Sequence, residues 1–294
     1  MEAYRTPDER FAGLPEYPFE PNYLDQDGLR MHFVDEGRGD PVLLLHGEPT
    51  WAFLYRKLIP PLAGVAHAVA PDYLGFGRSD KPTRIEDYSY NFHYESIERF
   101  VDALELRDAT VVVHDWSGPI GLRLAVERPD CVGRLVILNT GIGAGRAPSD
   151  EWLRFRAFVR RVGSDLVPGQ LIRISAVTEI ADDVVEAYNA PFPTPESKAG
   201  VLAFPELVPT ELDHPSAPKM LEVRAALEHW EKPTLVLFSD SDPIFSTVAA
   251  ERMASRIPGA GPAEFITGAG HFLQEEKGEE IAERIVRFLA ETAA

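Results

Sequence analysis

The stretch that decides the fold is Val111-Val112-Val113-His114-Asp115-Trp116-Ser117-Gly118-Pro119-Ile120-Gly121-Leu122. Three consecutive valines indicate a buried strand, because β-branched side chains suit a covered, pleated surface. Gly118, Pro119 and Gly121 then open an apolar helix, and a proline in the first turn loses no helical hydrogen bond. A sharp turn must join the two elements, and Asp115 stands at its apex.

Asp115 has two interpretations. An aspartate just before a helix is most often an N-cap, whose carboxylate accepts a backbone N–H. A carboxylate is also a nucleophile at neutral pH, and it can displace a leaving group from carbon to form an ester. The second interpretation is favoured by the setting, because strand, nucleophile and helix in this order resemble the elbow of α/β-hydrolases, with aspartate in place of serine. A histidine in such a site would be free to activate water for the second step.

The composition favours a globular protein that binds a small neutral molecule. The 294 residues are 45% hydrophobic and 10% aromatic, which is ample for a sizeable core. The net charge of −18 argues against nucleic acid or an anionic membrane as a partner. The single cysteine, Cys131, excludes an intramolecular disulfide and fits a reducing compartment. Because neither a secretory signal nor a membrane-length apolar stretch is visible, we expect a cytoplasmic protein. We also expect a monomer or dimer.

Strand and helix patterns alternate through the first half of the chain and return near its end. The predicted strands cover residues 29–34, 41–45, 66–70, 111–113, 135–139, 234–238 and 264–266. Amphipathic helices are predicted over roughly 94–106 and 279–291. This alternation predicts an α/β fold with a mostly parallel central sheet flanked by helices.

The pattern changes between residues 145 and 228. Helical stretches and the proline-rich segment 190–195 occur there, without a clear buried strand. We interpret this region as a helical cap inserted into the α/β domain. The predicted division is therefore a core domain of residues 1–144 and 229–294, and a helical cap domain of residues 145–228.

Candidates for the base and the acid follow the last two predicted strands. His271 lies in a glycine-flanked loop, although a histidine in such a loop can also be a plain surface residue. Two carboxylates follow residue 238, and we favour Asp242 as the group that orients His271, with Asp240 as a turn-former. Loops at the carboxyl ends of parallel strands share one edge of the sheet. Asp115, Asp242 and His271 are therefore expected to meet, and they follow the chain order of α/β-hydrolases.

Beyond the elbow, the sequence resembles the haloalkane dehalogenases of the α/β-hydrolase superfamily over nearly its whole length. The motifs that carry the resemblance are His46-Gly47-Glu48-Pro49-Thr50-Trp51, His114-Asp115-Trp116-Ser117-Gly118, the aspartate loop 239–243 and Gly270-His271-Phe272. Glu-Pro-Thr-Trp is the most specific of them. It is similar to the subfamily that acts on small chlorinated alkanes, in which the acid follows the strand after the cap. Ser117 is a departure, since the family more often has glycine there.

The resemblance implies a hydrolase that cleaves carbon–halogen bonds through an ester on Asp115. It assigns the halide to Trp116 and Trp152, since an indole N–H donates without competing as nucleophile or acid. Trp152 also fits an ordinary core aromatic. The backbone N–H groups of Glu48 and Trp116 would form the oxyanion hole. No metal or organic cofactor is implied, and the expected partners are a small neutral halogenated substrate and a halide ion.

Three other functions are compatible with the same scaffold. An epoxide hydrolase shares the Asp–His–Asp machinery but needs acid donors, usually tyrosines of the cap, and Tyr188 is the clearest cap tyrosine. A cofactor-free monooxygenase and a non-catalytic small-molecule receptor are the others. An intact nucleophile, base and acid argue against the receptor, and we therefore expect a haloalkane dehalogenase.

Overall fold

The computed structural model describes residues 1–145 and 148–293. Residues 146, 147 and 294 lie outside the described residues; the first two fall within the predicted cap and the last at the end of the predicted core domain. The strands are β1 (Ala3–Tyr4), β2 (Asn22–Gln26), β3 (Leu29–Gly37), β4 (Pro41–Leu45), β5 (His67–Pro71), β6 (Lys81–Pro82), β7 (Ala109–His114), β8 (Val132–Leu138), β9 (Thr234–Ser239) and β10 (Glu264–Ile266). The helices are α1 (Ile59–Ala63), α2 (Tyr90–Ala103), α3 (Ser117–Glu127), α4 (Asp150–Val162), α5 (Pro168–Ile174), α6 (Asp182–Asn189), α7 (Ala199–Ala203), α8 (Ala217–Ala226), α9 (Thr247–Arg256) and α10 (Leu273–Glu291).

An eight-stranded sheet forms the centre of the molecule, in the order β10-β9-β8-β7-β4-β5-β3-β2. Its strands pair in parallel from β10 to β5, while β3 pairs antiparallel with both β5 and β2. Every residue of β7 and β8 is buried, as expected for central parallel strands covered on both faces. The mostly parallel sheet predicted from the alternation of elements is present.

The chain between β8 and β9 contains helices α4 to α8, which we call the inserted helices, and none of its described residues lies in a strand. The division into core and cap domains at residues 144, 145, 228 and 229 stays a prediction. Across residues 1–145 and 148–293, no helix is sufficiently long and apolar to span a membrane.

Two helices begin earlier than the sequence pattern predicts. Helix α2 begins at Tyr90 instead of residue 94, because the Ser89 side chain caps it by accepting the N–H of Phe92. Helix α10 begins at Leu273 instead of residue 279 and continues through a kink at Lys277, where φ is −136°. Its first turn therefore follows His271 almost directly, which ties this helix to the site described next.

Candidate active site

Asp115 stands at the elbow between β7 and α3 in a left-handed backbone conformation, with a φ of 51°. Non-glycine residues rarely adopt this conformation, which costs about 1 kcal/mol or more. An N-cap residue is extended, and the residue that flanks α3 is Trp116. The N-cap interpretation of Asp115 therefore does not fit. The strained turn places the Asp115 carboxylate at the carboxyl end of β7.

Neighbouring loops hold this turn in place. A side chain at Gly47 would put its Cβ 2.5 Å from the Cβ of Asp115, so only glycine allows the two loops to approach this closely. The Thr140 hydroxyl donates to the carbonyl of Asp115 at 2.5 Å. The carboxylate Oδ1 accepts the backbone N–H of Glu48 at 2.8 Å, and the N–H of Trp116 also stabilises its charge. Both predicted oxyanion donors thus face this carboxyl group.

The base and acid meet as the chain order suggests. His271 Nδ1 lies 2.7 Å from Asp242 Oδ2, and His271 Nε2 lies 3.5 Å from Asp115 Oδ2. The second oxygen of Asp242 accepts the N–H groups of Ile244 and Phe245, which fixes the carboxylate. Asp240 is exposed and accepts the N–H of Gly268, as a turn-former does. The geometry therefore brings Asp115, Asp242 and His271 together and leaves Asp240 outside.

Charges in this group are strongly coupled. Burial lowers the pKa of His271, but Asp242 and Asp115 together raise it by more, to about 10. Burial raises the pKa of Asp115, but the hydrogen bond and charge of His271 bring it below its usual range. The two carboxyl groups thus favour the protonated form of the His271 imidazole, and His271 favours the charged form of Asp115.

The side chain of Glu48 is a feature that sequence reasoning did not single out, since only its backbone N–H was assigned. Burial raises the pKa of Glu48 well above its usual value, and the charge of Asp115 raises it further. Its Oε1 is buried and has no hydrogen-bond partner among the described residues. Both effects disfavour a second negative charge next to Asp115.

A cavity of about 370 Å³ opens above the three residues. Trp116 and Trp152 both line it, and neither indole N–H donates to a protein acceptor within residues 1–145 and 148–293. Trp116 is nearly buried and packs on Phe204, with ring centroids 5.0 Å apart. Two free N–H donors on apolar rings form a suitable environment for a halide ion.

The remaining tryptophans and the candidate tyrosine lie elsewhere. Trp230 donates to Thr234 Oγ1 at 3.1 Å, and Trp51 is buried in an aromatic cluster with Phe11. Tyr188 is buried, and its hydroxyl donates to Glu275 at 2.7 Å. None of the described residues that line the cavity is a tyrosine. The acid donors that an epoxide hydrolase needs are therefore missing from the described cavity wall.

Ser117 replaces the more usual glycine without leaving its hydroxyl unpaired. Its Oγ accepts the N–H of His114 and donates to the carbonyl of Leu45, both at 2.6 Å. These bonds join the carboxyl ends of β7 and β4, the two strands that carry Asp115 and Glu48. The departure from the family pattern therefore stiffens the elbow.

Glu276 is a second residue that the sequence did not point out. Its Oε1 accepts the N–H of Gly270 at 2.6 Å, next to His271. Its Oε2 accepts the N–H groups of Val177 and Thr178 at 2.8 and 2.6 Å, in the loop between α5 and α6. One carboxylate thus joins the histidine loop to the inserted helices. An acidic residue in the first turn of a helix is a usable signal, but the predicted helix begins six residues after the observed one.

Among the described residues, no group of three or more His, Cys, Asp or Glu side chains has the arrangement needed to hold a metal ion.

Comparisons with known proteins agree with this geometry. Residues 40–278 match the family described as alpha/beta hydrolase fold. A haloalkane dehalogenase of Mycolicibacterium paratuberculosis is 45% identical over 97% of this chain and 98% of its own. The tetrameric haloalkane dehalogenase DpaA from Paraglaciecola agarilytica superposes with a TM-score of 0.91 at 34% identity, over 97% of both chains. A cis-3-alkyl-4-alkyloxetan-2-one decarboxylase of Shewanella oneidensis is 32% identical over 94% of this chain and 90% of its own. The predicted fold class and family are confirmed: the chain belongs to the haloalkane dehalogenases of the α/β-hydrolase fold.

Proposed function

We propose that this chain hydrolyses carbon–halogen bonds of small halogenated alkanes, giving an alcohol and a halide ion through a covalent ester on Asp115. The observation that carries the proposal is the setting of the Asp115 carboxylate. One oxygen accepts the Glu48 N–H, while the other lies 3.5 Å from His271 Nε2. The carboxylate lies in the wall of a cavity that Trp116 and Trp152 also line, and neither indole N–H has a protein acceptor among the described residues.

The first step is displacement at carbon. Oδ2 of Asp115 attacks the carbon that bears the halogen, and the carbon–halogen bond breaks with both electrons leaving on the halide. Negative charge grows on the halogen in the transition state, where the indole N–H groups of Trp116 and Trp152 stabilise it. No proton has to move in this step.

The second step is hydrolysis of the ester. Alkylation removes the negative charge of Asp115, one of the two carboxylates that raise the pKa of His271. The imidazolium can then release its proton to solvent, and the neutral imidazole, oriented by Asp242, acts as a base. It takes a proton from water as that water adds to the ester carbon, and the N–H groups of Glu48 and Trp116 stabilise the oxyanion. The adduct collapses by breaking the bond between the ester carbon and the alkoxide oxygen, and the alkoxide takes the proton back from His271 and leaves as the alcohol. The carboxylic acid of Asp115 then passes its proton to His271, which restores the ion pair.

The remaining parts of the proposal follow from the same chemistry. The carboxylate, the imidazole and water carry both steps without a metal or an organic cofactor. The inserted helices supply Trp152, which supports a core domain of residues 1–144 and 229–294 and a cap domain of residues 145–228. We keep a cytoplasmic monomer or dimer as the expected state.

A halide-release assay over chlorinated, brominated and iodinated alkanes tests the proposed activity. We expect one halide and one alcohol per turnover, and a loss of about four orders of magnitude or more in Asp115→Ala. An epoxide and a β-lactone (an oxetan-2-one) serve as competing substrates. Turnover of either of these with no halide release from any alkyl halide would contradict the proposal.

The halide site has a separate test. In Trp152→Phe the ring remains but the N–H donor is lost, so bromide should bind more weakly, as followed by quenching of tryptophan fluorescence. Turnover of bromoalkanes should fall by about two orders of magnitude. Unchanged affinity and rate would remove Trp152 from the halide site.

A further inference from the structure

The walls of the cavity differ in charge from the chain as a whole. The sequence has 47 Asp and Glu residues and 29 Lys and Arg residues. Among the described residues that line the cavity, however, the only carboxylic side chains are Glu48 and Asp115, whereas Arg224 and Arg256 also line it. Burial and the charge of Asp115 raise the pKa of Glu48 and so disfavour its charged form, and Asp115 Oδ2 lies 3.5 Å from His271 Nε2. Arg224 and Arg256 therefore add positive charge to the cavity wall.

Arg224 on α8 is the more informative of the two arginines. It is half-buried, and within residues 1–145 and 148–293 its guanidinium makes no ion pair or hydrogen bond. Lys219 on the same helix pairs with Glu127 at 3.1 Å and with Glu222 at 2.6 Å. Carboxylates thus lie beside α8, and Lys219, the other cation of this helix, forms ion pairs with them. A half-buried guanidinium without a carboxylate partner retains its full capacity to bind an anion.

The position of the guanidinium relates it to the reacting groups. Its Nη1 lies 3.6 Å from the point that a Cβ on Gly143 would occupy. Gly143 lies in the loop after β8, and its neighbours Ile142 and Ala144 line the cavity. Strand β8 is the direct neighbour of β7, which leads to Asp115. A substrate with its halogenated carbon at Asp115 can therefore extend along this wall toward Arg224.

We infer that Arg224 is an anion-binding residue of the cavity that favours haloalkyl substrates with a carboxylate at the end remote from the halogen. The inference rests on the proposed function and adds a substrate class to it. A planar carboxylate matches the fork of a guanidinium in a bidentate pair. The departing halide is the other anion that the cavity contains, but it is a sphere and already has two indole donors.

The test compares matched substrates in four proteins. The substrates are ω-bromoalkanoates of increasing length and the neutral bromoalkane with the same number of carbons. The proteins are the unmodified chain, Arg224→Gln, Arg224→Lys and the control Lys219→Gln, which removes a cation of the same helix that is already paired. We measure kcat and KM for each pair of substrates, and the burst of bromide release.

For at least one chain length, Arg224→Gln should lower kcat/KM for the acid about tenfold, mainly through KM. The neutral bromoalkane should change by less than about twofold, and Arg224→Lys should recover part of the loss. Lys219→Gln should change neither substrate. Equal losses for acid and neutral substrates, or no turnover of any acid by the unmodified chain, would overturn the inference. A slower release of bromide from both substrates would overturn it too, because Arg224 would then act on the halide. Failure of the neutral bromoalkane in the unmodified chain would contradict the proposed function instead.

Discussion

Two aspartates in one short loop have different roles because their surroundings differ. Asp242 is almost fully buried and binds His271 Nδ1 with one oxygen and two backbone N–H groups with the other. Asp240, two residues earlier, is exposed and holds the turn at Gly268. The pair offers a matched experiment on a single carboxylate.

Asp242→Asn should keep the fold and slow hydrolysis of the ester by about a hundredfold or more, because His271 loses the carboxylate that stabilises its cation. Alkylation of Asp115 should be less affected, so a burst of halide should precede a slow steady rate in stopped-flow measurements. Asp240→Asn is the control and should stay within about threefold of the unmodified chain. If Asp240→Asn slowed ester hydrolysis strongly and Asp242→Asn slowed it only slightly, the assignment of the two aspartates would be reversed.

Single residues were predictable where a local pattern fixes their place. Asp115 follows three buried valines, and His271 follows the last strand between glycines, so both could be located from the sequence. Arg224 could not, because its role depends on how α8 packs over the cavity. Nor could the raised pKa of Glu48, which results from burial beside the charge of Asp115.

The first turn of α10 joins three parts of the molecule through two adjacent glutamates. Glu275 accepts a bidentate pair from Arg56 at 2.6 and 2.7 Å, and the hydroxyl of Tyr188 on α6 at 2.7 Å. Glu276 joins Gly270 to Val177 and Thr178. The N–H of His271 donates to the carbonyl of Ser175 at 3.1 Å in the same region. The inserted helices therefore help to hold the histidine loop.

Glu276→Gln should weaken the connection between the histidine loop and the inserted helices. An amide NH₂ then replaces one of the two carboxylate oxygens that accept backbone N–H groups. Ester hydrolysis, which uses His271, should slow about tenfold, while the burst of halide release keeps its rate. Glu279→Gln, an exposed change on the same helix, is the control. Equal effects on burst and steady rate, or no effect on either, would show that Glu276 does not position the base.

Elements were predicted best where burial makes the pattern continuous. Strands β4, β7, β8 and β9 are almost wholly buried, and their apolar runs gave both their existence and their approximate bounds. The start of α10 was missed because residues 273–278 contain two glutamates and Gly278 and have no apolar period of their own. Contacts with distant segments hold that turn in a helix, and such contacts leave no local signal.

At the scale of the whole molecule, the coupled charges at the site make stability depend on pH. The folded pKa of His271 is about 10, against about 6.5 for a free histidine. A raised pKa means that the folded state binds the proton more tightly than the unfolded state does. The contribution of His271 to the free energy of unfolding is therefore fully present below a pH of about 6.5. This contribution is lost as the pH rises toward about 10.

The unmodified chain and His271→Phe should differ in their free energy of unfolding. This difference should become smaller as the pH rises from neutral toward the folded pKa of His271. Urea unfolding of both proteins across this range provides the measurement. Lys81, whose pKa burial lowers to about 7, is present in both proteins and cancels in the difference. A difference that grows with pH would mean that His271 is buried in its neutral form.

The α/β architecture and the inserted helices were predictable as a whole, because alternating buried strands and helices allow few arrangements. The shape of the cavity was not, since it depends on how α4 and α8 pack over the carboxyl ends of the strands. Substrate preference follows from that packing, which is why it required the structure.

In the proposed mechanism, Asp115 forms an alkyl ester and His271 serves only to break it down. Mass spectrometry of His271→Phe after incubation with a bromoalkane separates these two steps. We expect about one halide released per active site, and a mass increase equal to the alkyl group on the peptide that contains Asp115. Asp115→Ala should give neither. Continued turnover in His271→Phe, or halide release with no adduct on that peptide, would rule out this mechanism.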